Sequence, residues 1–414
     1  MLLLSACSPD ESEETERKDE SIYLDYASSW KINSASLGEF LNVSMFSGNS
    51  SGINSHAKHL KKLEDQATKV IADKIGANPD QIHFTSSASV ANNIAILGVA
   101  YKNPKCHLIT SKIEHKSVLN VFKHLEEVGY KVTYLDVNQY GNVNLNQLRK
   151  SIRKDTKLIS IQMFNSEIGT LQNVEEIGKI AKERGVLFHT DAAQSFCKYD
   201  IDVNKMGIDL LTISGHKIGS PKGIGALYVR DINKLQPIMF GSGDVLFPGT
   251  KPTALICAFA KAVERFRVNY EKIKANFNLV LAELSQIEKV HINSVNPSHI
   301  ISISIDGVLL KDILERMKEY SFSAGCSCLG MEKSNVIEAI ESEDKLPSCT
   351  IRISFSDQVS EEQLIGFAKK LKSAVKQLRK EKKVGKACEA MDDTKQRDLG
   401  NNLDKIQELI ERSK

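Results

Sequence analysis

The strongest constraint on the fold is a glycine-rich loop between two short apolar segments near the middle of the chain. Residues 210–213 and 226–229 are apolar runs that predict buried strands. The glycines between them exclude a helix and allow the backbone to approach a ligand closely. Lys217 lies in this loop. The sequence therefore predicts a lysine that is presented at the end of a buried strand.

This loop lysine is a candidate nucleophile. Apolar neighbours at a strand end can lower the pKa of a lysine enough for its amine to form a Schiff base with pyridoxal 5′-phosphate. Upstream, the apolar segment 186–189 leads to Asp191, whose carboxylate could keep the pyridinium nitrogen of that cofactor protonated. We predict a pyridoxal-phosphate site from this pair of residues. The alternative is a surface lysine in a glycine-rich turn.

Apolar runs and helical patterns alternate along the first part of the chain. Strands are predicted from Ile82 and at 107–110, 131–135, 158–163, 186–189 and 210–213, with helices between most of them, as at 117–128 and 174–183. Such alternation predicts an α/β fold with a mostly parallel sheet covered on both faces. Ligands bind at the carboxyl ends of the strands in such a sheet, where Ser87, His115, Asp191 and Lys217 fall.

The pattern changes after Thr250. A long helix is predicted at 253–287, strands at 300–305 and 350–355, and further helices at 309–320 and 361–382. These elements predict a second, smaller α+β domain. The predicted divisions are an acidic tail at 1–20, a large cofactor-binding domain at 21–255 whose first residues pack with the small domain, a small domain at 256–383 and a C-terminal extension at 384–414.

A turn of small residues precedes the apolar helical pattern that follows Ile82. Ser87 and Ser89 lie at the start of that helix, where backbone N–H groups and hydroxyls can hold a phosphate. The alternative is an ordinary serine N-cap.

Two further features of the small domain are candidates for chemistry. Cys326 and Cys328 lie beside glycines, so a loop thiol there could act as a nucleophile once deprotonated; the alternative is a pair of inert cysteines. Arg352 lies on a predicted strand, where an unpaired guanidinium would be costly. We expect it to hold a carboxylate bidentately.

Composition excludes several classes of protein. The net charge of +3 is too small to indicate nucleic acid as a partner, and the basic run at 369–386 has the apolar stripe of an amphipathic helix. The eight cysteines are scattered, without the spacing of a metal site, so we expect reduced thiols, a cytoplasmic location and no metal. No apolar stretch reaches the length of a membrane span. An alternative location is a lipoprotein anchored through Cys7, if the true start lies upstream.

Taken together, these motifs resemble the cysteine desulfurases, which are fold type I pyridoxal-phosphate enzymes of the class V aminotransferase group. The resemblance is strongest to the branch that supplies sulfur for iron–sulfur cluster assembly, and it covers nearly the whole chain. The matching motifs are Ser-Gly-His-Lys-Ile-Gly-Ser-Pro-Lys-Gly-Ile-Gly-Ala-Leu-Tyr-Val-Arg at 214–230, His-Thr-Asp-Ala-Ala-Gln at 189–194, Glu-His-Lys-Ser-Val-Leu at 114–119 and Glu-Ile-Gly-Thr-Leu-Gln at 167–172. The family fold is a large domain with a mostly parallel seven-stranded sheet and a smaller α+β domain.

The resemblance implies a role for each matching residue. Lys217 would bind the cofactor covalently and move protons, His115 would stack on the ring and serve in acid/base steps, and Cys328 would be the catalytic cysteine. Arg352 would bind the substrate carboxylate. The remaining cofactor contacts would be Asp191 at the ring nitrogen, Gln194 at the phenolic oxygen, and Ala88, Ser89, Ser214, His216 and, from the neighbouring subunit of a homodimer, Thr250 at the phosphate.

The implied reaction converts L-cysteine to L-alanine and leaves the sulfur on Cys328 as a persulfide, which a separate acceptor protein then collects. Some positions differ from the family pattern: the turn at 85–91, Ser166 in place of an asparagine, and a shorter loop at 241–250 that lacks the family's arginines. Asn165 is adjacent to Ser166 but would face the other side of a strand. Two alternatives therefore remain: a pyridoxal-phosphate enzyme of altered specificity, such as a selenocysteine lyase or aminotransferase, and a weakly active or inactive paralogue that acts as a binding or regulatory subunit.

Overall fold

The computed structural model describes residues 21–324, 334–340 and 349–382. The predicted cysteine segment with Cys326 and Cys328, the N-terminal tail and the C-terminal extension lie outside these residues. The helices are α1 (Ser34–Ser44), α2 (Ser55–Ile75), α3 (Ala88–Lys102), α4 (Lys116–Glu127), α5 (Leu145–Ser151), α6 (Val174–Glu183), α7 (Thr253–Arg265), α8 (Tyr270–Leu284), α9 (Leu310–Arg316), α10 (Asn335–Ile340) and α11 (361–382). The strands are β1 (Ile22–Tyr23), β2 (Ile82–Thr85), β3 (His107–Ser111), β4 (Lys131–Leu135), β5 (Thr156–Ser160), β6 (Leu187–Asp191), β7 (Leu210–Ser214), β8 (Gly225–Val229), β9 (Val290–Ile292), β10 (Ile300–Ile305), β11 (Tyr320–Ser321), β12 (Ser323–Ala324) and β13 (Thr350–Ser354).

The large sheet has seven strands in the order β2–β8–β7–β6–β5–β3–β4. Strand β8 runs antiparallel to both of its neighbours, and the other pairs are parallel. The sheet separates two cores: Ile159 and Leu211 pack with α2, α6 and α7, whereas Leu158 and Leu210 pack with α3 and α4. The predicted α/β fold, with its mostly parallel sheet covered on both faces, is confirmed.

A second sheet of four antiparallel strands, in the order β12–β13–β10–β9, lies in the C-terminal part of the chain. Its core contains residues of α8, α9 and α11. The start of the chain joins this core, because Leu24 and Tyr26 are buried in it and β1 pairs in parallel with β11. The segment that follows Tyr26, with Ala27 and Ser28, is thereby held close to the small sheet.

The single helix predicted at 253–287 is wrong, because the structure has two helices there. Helix α7 packs in the core of the large sheet, and α8 in the core of the small sheet. Between them Phe266 adopts an extended conformation, and the Asn269 side chain caps α8 by accepting a hydrogen bond from the N–H of Lys272. The apolar periodicity continues through this break, so the sequence pattern hid a point at which the chain passes from one core to the other.

Residues 369–382, the part of the basic run that the structure describes, lie in α11, which is the amphipathic helix that the sequence predicts. Leu364, Phe367, Leu371 and Val375 are all buried against the small sheet. No helix among the described residues combines the length and apolar character needed to cross a bilayer.

Candidate active site

A cavity of about 370 Å³ lies between the carboxyl ends of the large-sheet strands and the edge of the small sheet. Most of the predicted site residues line it, namely Ala88, Ser89, His115, Asp191, Gln194, Ser214, His216, Lys217 and Arg352. Thr250 is exposed and does not line it, and Cys328 lies outside the described residues. The fold thus brings together residues that are far apart in the sequence.

Lys217 follows β7 in a single 3₁₀ turn that closes at Gly219. Its Nζ donates hydrogen bonds to the carbonyl oxygens of Ala27 and Ser28, the second at 2.9 Å. Burial lowers the pKa of Lys217 to about 8, and the positive charge of Arg352 adds to this effect. The neutral, nucleophilic amine is therefore available much closer to physiological pH than that of an ordinary lysine.

Asp191 ends β6 and is held by two hydrogen bonds. Its Oδ1 accepts from the N–H of Ala193 at 2.9 Å, and its Oδ2 accepts from the side chain of Asn92 at 2.8 Å. Asn92 lies on α3 and is completely buried. Asn92 was not among the site residues predicted from the sequence. A polar side chain on the apolar face of a helix was the one feature that could have indicated a buried hydrogen-bonding role.

His115 is linked to Asp191 through two side chains. Its Nδ1 accepts a hydrogen bond from the N–H of Ser117 at 3.1 Å and lies 2.7 Å from the Ser117 hydroxyl. That hydroxyl also accepts from Asn92 at 2.9 Å. The cavity walls lower the pKa of His115 by desolvation, although the charge of Asp191 opposes this. We infer a neutral imidazole whose Nδ1 is an acceptor, which leaves the proton on Nε2.

The start of α3 forms the polar end of the cavity. Ser87 caps the helix, its side chain accepting from the N–H of Val90, and Ser87, Ala88 and Ser89 all line the cavity. The first N–H groups of a helix have no partners within the helix and are available to a ligand. Gly225 on the adjacent strand is required here, because a Cβ at this position would lie 2.9 Å from the nitrogen of Ala88. Ser214 lies beside this end, with its hydroxyl 3.1 Å from Nδ1 of His216. These donors suit a dianionic phosphate.

Arg352 reaches the cavity from β13 of the small sheet, and only 8% of its surface is exposed. Its guanidinium donates to Asp25 Oδ1 at 2.7 Å, to the Ser28 hydroxyl at 3.0 Å and to the Ser166 carbonyl at 3.0 Å. Its Nε is buried without a partner among the described residues. Sequence analysis missed Asp25 and Ser28, since nothing local to them indicates a distant arginine.

Asn165 does not line the cavity, and the assumption that it lies on a strand is wrong, because β5 ends at Ser160 and a turn begins at Ser166. The side-chain N–H of Asn165 donates to the Ile113 carbonyl, and its Oδ1 accepts from the N–H groups of Glu167 and Ile168. Ser166, not Asn165, lines the cavity. This side of the cavity therefore lacks an asparagine side chain.

Known protein families and proteins are similar to this chain in sequence. The class V aminotransferase model matches residues 22–367. The mitosomal cysteine desulfurase of Trachipleistophora hominis is 40% identical over 341 residues, which cover 77% of this chain and 77% of that protein. The chain belongs to the cysteine desulfurase family of class V aminotransferases.

Other known proteins are similar over most of the chain. The mitochondrial cysteine desulfurase of Candida albicans is 36% identical over 378 residues, covering 87% of this chain and 78% of its own. A solved structure of SspA in complex with cysteine is 37% identical with a TM-score of 0.70, and the match covers 80% of this chain and 98% of that one.

Class V aminotransferases depend on pyridoxal 5′-phosphate, and the cavity fits this cofactor. Lys217 and Asp191 offer an amine and a carboxylate in one cavity, and the start of α3 supplies phosphate donors. The Oε1 of Gln194 is buried without a partner among the described residues, while its Nε2 donates to the Ala27 carbonyl. A bound polar group would satisfy such an atom, whose burial is otherwise costly.

The loop at 241–250, where the chain departs most from the family pattern, is anchored to the large sheet. Asp244 accepts from the N–H groups of Leu246 and Phe247 and pairs with Nδ1 of His83 at 2.9 Å. Leu246 is buried in the core beside α3. A hydrogen bond between Asp244 and His83 and the buried side chain of Leu246 thus fix this loop.

We predict that Glu114→Gln removes a pH-dependent loss of stability. Glu114 is buried and accepts from the Ser111 hydroxyl and the Gln162 N–H. Burial raises its pKa from 4.5 to about 8, so folding favours the protonated carboxyl. This contribution is full below pH 4.5 and declines as the pH rises towards 8, because only the unfolded chain ionises freely. Gln reproduces the protonated shape and cannot ionise.

Urea unfolding at pH 5.5 and pH 8.5 checks this prediction. The free energy of unfolding of the variant, relative to that of the parent, should be higher at pH 8.5 than at pH 5.5 by at least about 1 kcal/mol. Glu127→Gln, at the exposed last position of α4, the helix that begins two residues after Glu114, is the matched control. Equal pH dependence in Glu114→Gln and the parent would contradict the assignment.

Proposed function

We propose that this protein is a pyridoxal-phosphate-dependent cysteine desulfurase that converts L-cysteine to L-alanine and transfers the sulfur to Cys328 as a persulfide. The observation that carries the proposal is the convergence of Lys217, Asp191 and Arg352 on one cavity. Lys217 supplies an amine, Asp191 a carboxylate, and Arg352 a guanidinium that can bind the substrate carboxylate. The relatives of the chain are named cysteine desulfurases. The sulfur would serve iron–sulfur cluster assembly or another sulfur-transfer pathway.

The chain's own residues have distinct tasks in this reaction. When bound, pyridoxal phosphate withdraws electrons from the substrate Cα. Arg352 holds the substrate carboxylate and thereby orients Cα towards Lys217, whose neutral amine accepts the Cα proton. Neutral His115 can accept the proton of the substrate thiol.

Sulfur transfer balances without an external oxidant or reductant. The thiolate of Cys328 attacks the substrate sulfur, an S–S bond forms, and the C–S bond breaks with its electron pair left on the substrate carbon. The ammonium of Lys217 then returns a proton to that carbon. Cα regains a proton equivalent to the one that the Cys328 thiol released when it became the thiolate, and the proton held by His115 returns to the persulfide sulfur. One thiol and one cysteine become one persulfide and one alanine.

Alanine formation by the purified, cofactor-loaded protein tests this function. The parent should form alanine from L-cysteine, whereas Cys328→Ala should form none. Cys326→Ser, at the other cysteine of this segment, is the matched control and should retain activity. Alanine formation that survives in Cys328→Ala would favour an enzyme of altered specificity. No alanine from any variant would favour a non-catalytic paralogue, and borohydride trapping at Lys217 would show whether that paralogue holds the cofactor.

The altered-specificity alternative has a specific observation in its favour. The shorter loop at 241–250 is fixed by the pair of His83 and Asp244, and Ser166 leaves this side of the cavity without the family asparagine. Selenocysteine and amino-acid substrates without sulfur are the compounds to compare with L-cysteine. Faster turnover of one of them would replace the desulfurase proposal.

We also propose that the protein acts as a homodimer and passes its sulfur to a separate acceptor protein. Helix α1 carries the exposed apolar residues Leu37 and Leu41, and the exposed stripe continues beyond the end of the helix to Met45 and Phe46. An exposed stripe of this kind favours an interface with another chain. Thr250 is also exposed, as expected of a residue that completes a partner's phosphate site. The cytoplasmic location stays a prediction.

We predict that Leu41→Glu converts the dimer to a monomer, because a charge would be buried in an apolar interface. Sedimentation velocity should give about half the mass of the parent at micromolar concentration. Val128→Glu replaces an exposed apolar residue at the end of α4 and should leave the mass unchanged. A parent that sediments as a monomer would refute the dimer.

A further inference from the structure

Lys198 is a buried lysine that the proposed reaction does not use. It lies in the turn after β6, and 5% of its surface is exposed. Its Nζ donates to the Gln194 carbonyl at 3.0 Å and to the Lys217 carbonyl at 3.1 Å. The same amino group lies 5.2 Å from the ring centroid of Trp30. Within the described part of the chain no carboxylate forms an ion pair with it.

The two residues that Lys198 joins also meet at their other ends. Gln194 Nε2 and Lys217 Nζ both donate to the carbonyl oxygen of Ala27. Their backbone carbonyls converge on Lys198, and their side chains converge on Ala27. A closed set of hydrogen bonds therefore fixes the Gln194 amide relative to the Lys217 amine.

The segment that carries Ala27 is tied to the same unit. The N–H of Trp30 donates to the His216 carbonyl at 3.0 Å, and that of Asn33 donates to the Gly219 carbonyl at 2.8 Å. The Trp30 ring, which lies over Lys198, also packs edge-on against Phe266. Lys198 is thus enclosed between the lysine loop and the segment that covers it.

We propose that Lys198 is a positioning residue: it joins the backbones of Gln194 and Lys217 and so sets the placement of the two side chains that face the cofactor. The inference rests on the proposed pyridoxal-phosphate chemistry of Lys217. A lysine is suited to this task because its three donors can serve two carbonyl groups and still face an aromatic ring. An apolar side chain of similar length would fill the space but leave both carbonyls without this donor.

Burial and the nearby charge of Lys217 lower the pKa of Lys198 to about 7. A neutral amine still has two N–H donors, which is the number that the two carbonyls require. The hydrogen-bonded arrangement therefore persists whichever protonation state Lys198 adopts.

Lys198→Met tests the proposal, with Lys222→Met, at an exposed position in the lysine loop, as the matched control. Cofactor-free protein is mixed with pyridoxal phosphate, and the adduct at Lys217 is followed by absorbance and by borohydride trapping with peptide mass analysis. We expect the Met variant to fold and to form the adduct on the order of 10²-fold more slowly, with a shifted absorption band. Its kcat should fall while its KM stays close to that of the parent. The control should match the parent. Trp30, the one tryptophan of the chain, reports cofactor placement through quenching of its fluorescence.

Parental trapping rate, absorption band and kcat in the Met variant would overturn the proposal. Losses that only follow the folded fraction, measured by thermal unfolding, would also overturn it by assigning a purely structural role. If the Met variant does not fold, Lys198→Gln, which keeps one N–H donor group, is judged by the same readouts. A parent that traps the cofactor but forms no alanine would refute the desulfurase function alone, because the trapping comparison needs no L-cysteine.

Discussion

Lys217→Ala should abolish alanine formation from L-cysteine, with a fall of at least about 10³-fold in kcat. Two tasks are lost together, since the same amine binds the cofactor and moves the proton between the substrate carbons. The variant should also yield no borohydride-stable adduct on the peptide that contains residue 217. Alanine quantification and peptide mass analysis measure the two losses separately.

The pH dependence of adduct formation gives a further check on the parent protein. Because burial lowers the pKa of Lys217 to about 8, the nucleophilic amine becomes more abundant as the pH rises through 8. The rate of adduct formation, measured by borohydride trapping, should therefore level off at a pH well below 10.5, the ordinary pKa of a lysine. Lys222→Ala, in the same loop but exposed, should keep the parental rate and pH profile. An adduct that moves to another lysine in Lys217→Ala, with turnover retained, would contradict the assignment.

Arg352→Gln should lower kcat/KM for L-cysteine by about 10²-fold, which corresponds to about 2.7 kcal/mol of lost transition-state stabilisation. The guanidinium is buried, and its partners Asp25 and Ser28 hold it against the cavity. Removal of the positive charge leaves the substrate carboxylate without a partner in a partly desolvated site. Steady-state kinetics should show mostly a higher KM, and Arg352→Lys should restore only part of the loss because an ammonium cannot bind a carboxylate bidentately.

Loss of the contact between Arg352 and Asp25 is a separate effect that needs its own control. Asp25→Asn keeps the shape of the partner and removes its charge, so it should affect stability more than KM. Arg153→Gln, an exposed arginine whose carboxylate partner is Asp155, should leave both unchanged. An unaltered KM in Arg352→Gln would show that the substrate carboxylate binds elsewhere.

The parts of the site that sequence predicts best are those encoded within a few residues. The apolar run before Lys217 and the glycines after it specify a strand and a turn wherever they are placed, because both patterns act through local backbone geometry and burial. Asp191 at the end of β6 was predictable for the same reason. The break between α7 and α8 was not, because the apolar periodicity continues while the core that it faces changes.

By itself, the sequence determined the alternation of strands and helices, the lysine loop and the motifs that identify the family. The tertiary structure decided which distant groups meet: Arg352 with Asp25, Asn92 beneath Asp191, and Lys198 between Gln194 and Lys217. The physical reason is that strand and turn preferences arise from neighbours in the chain. The position of a buried polar group is set instead by whichever partner, near or far in sequence, satisfies it after the two sheets have packed.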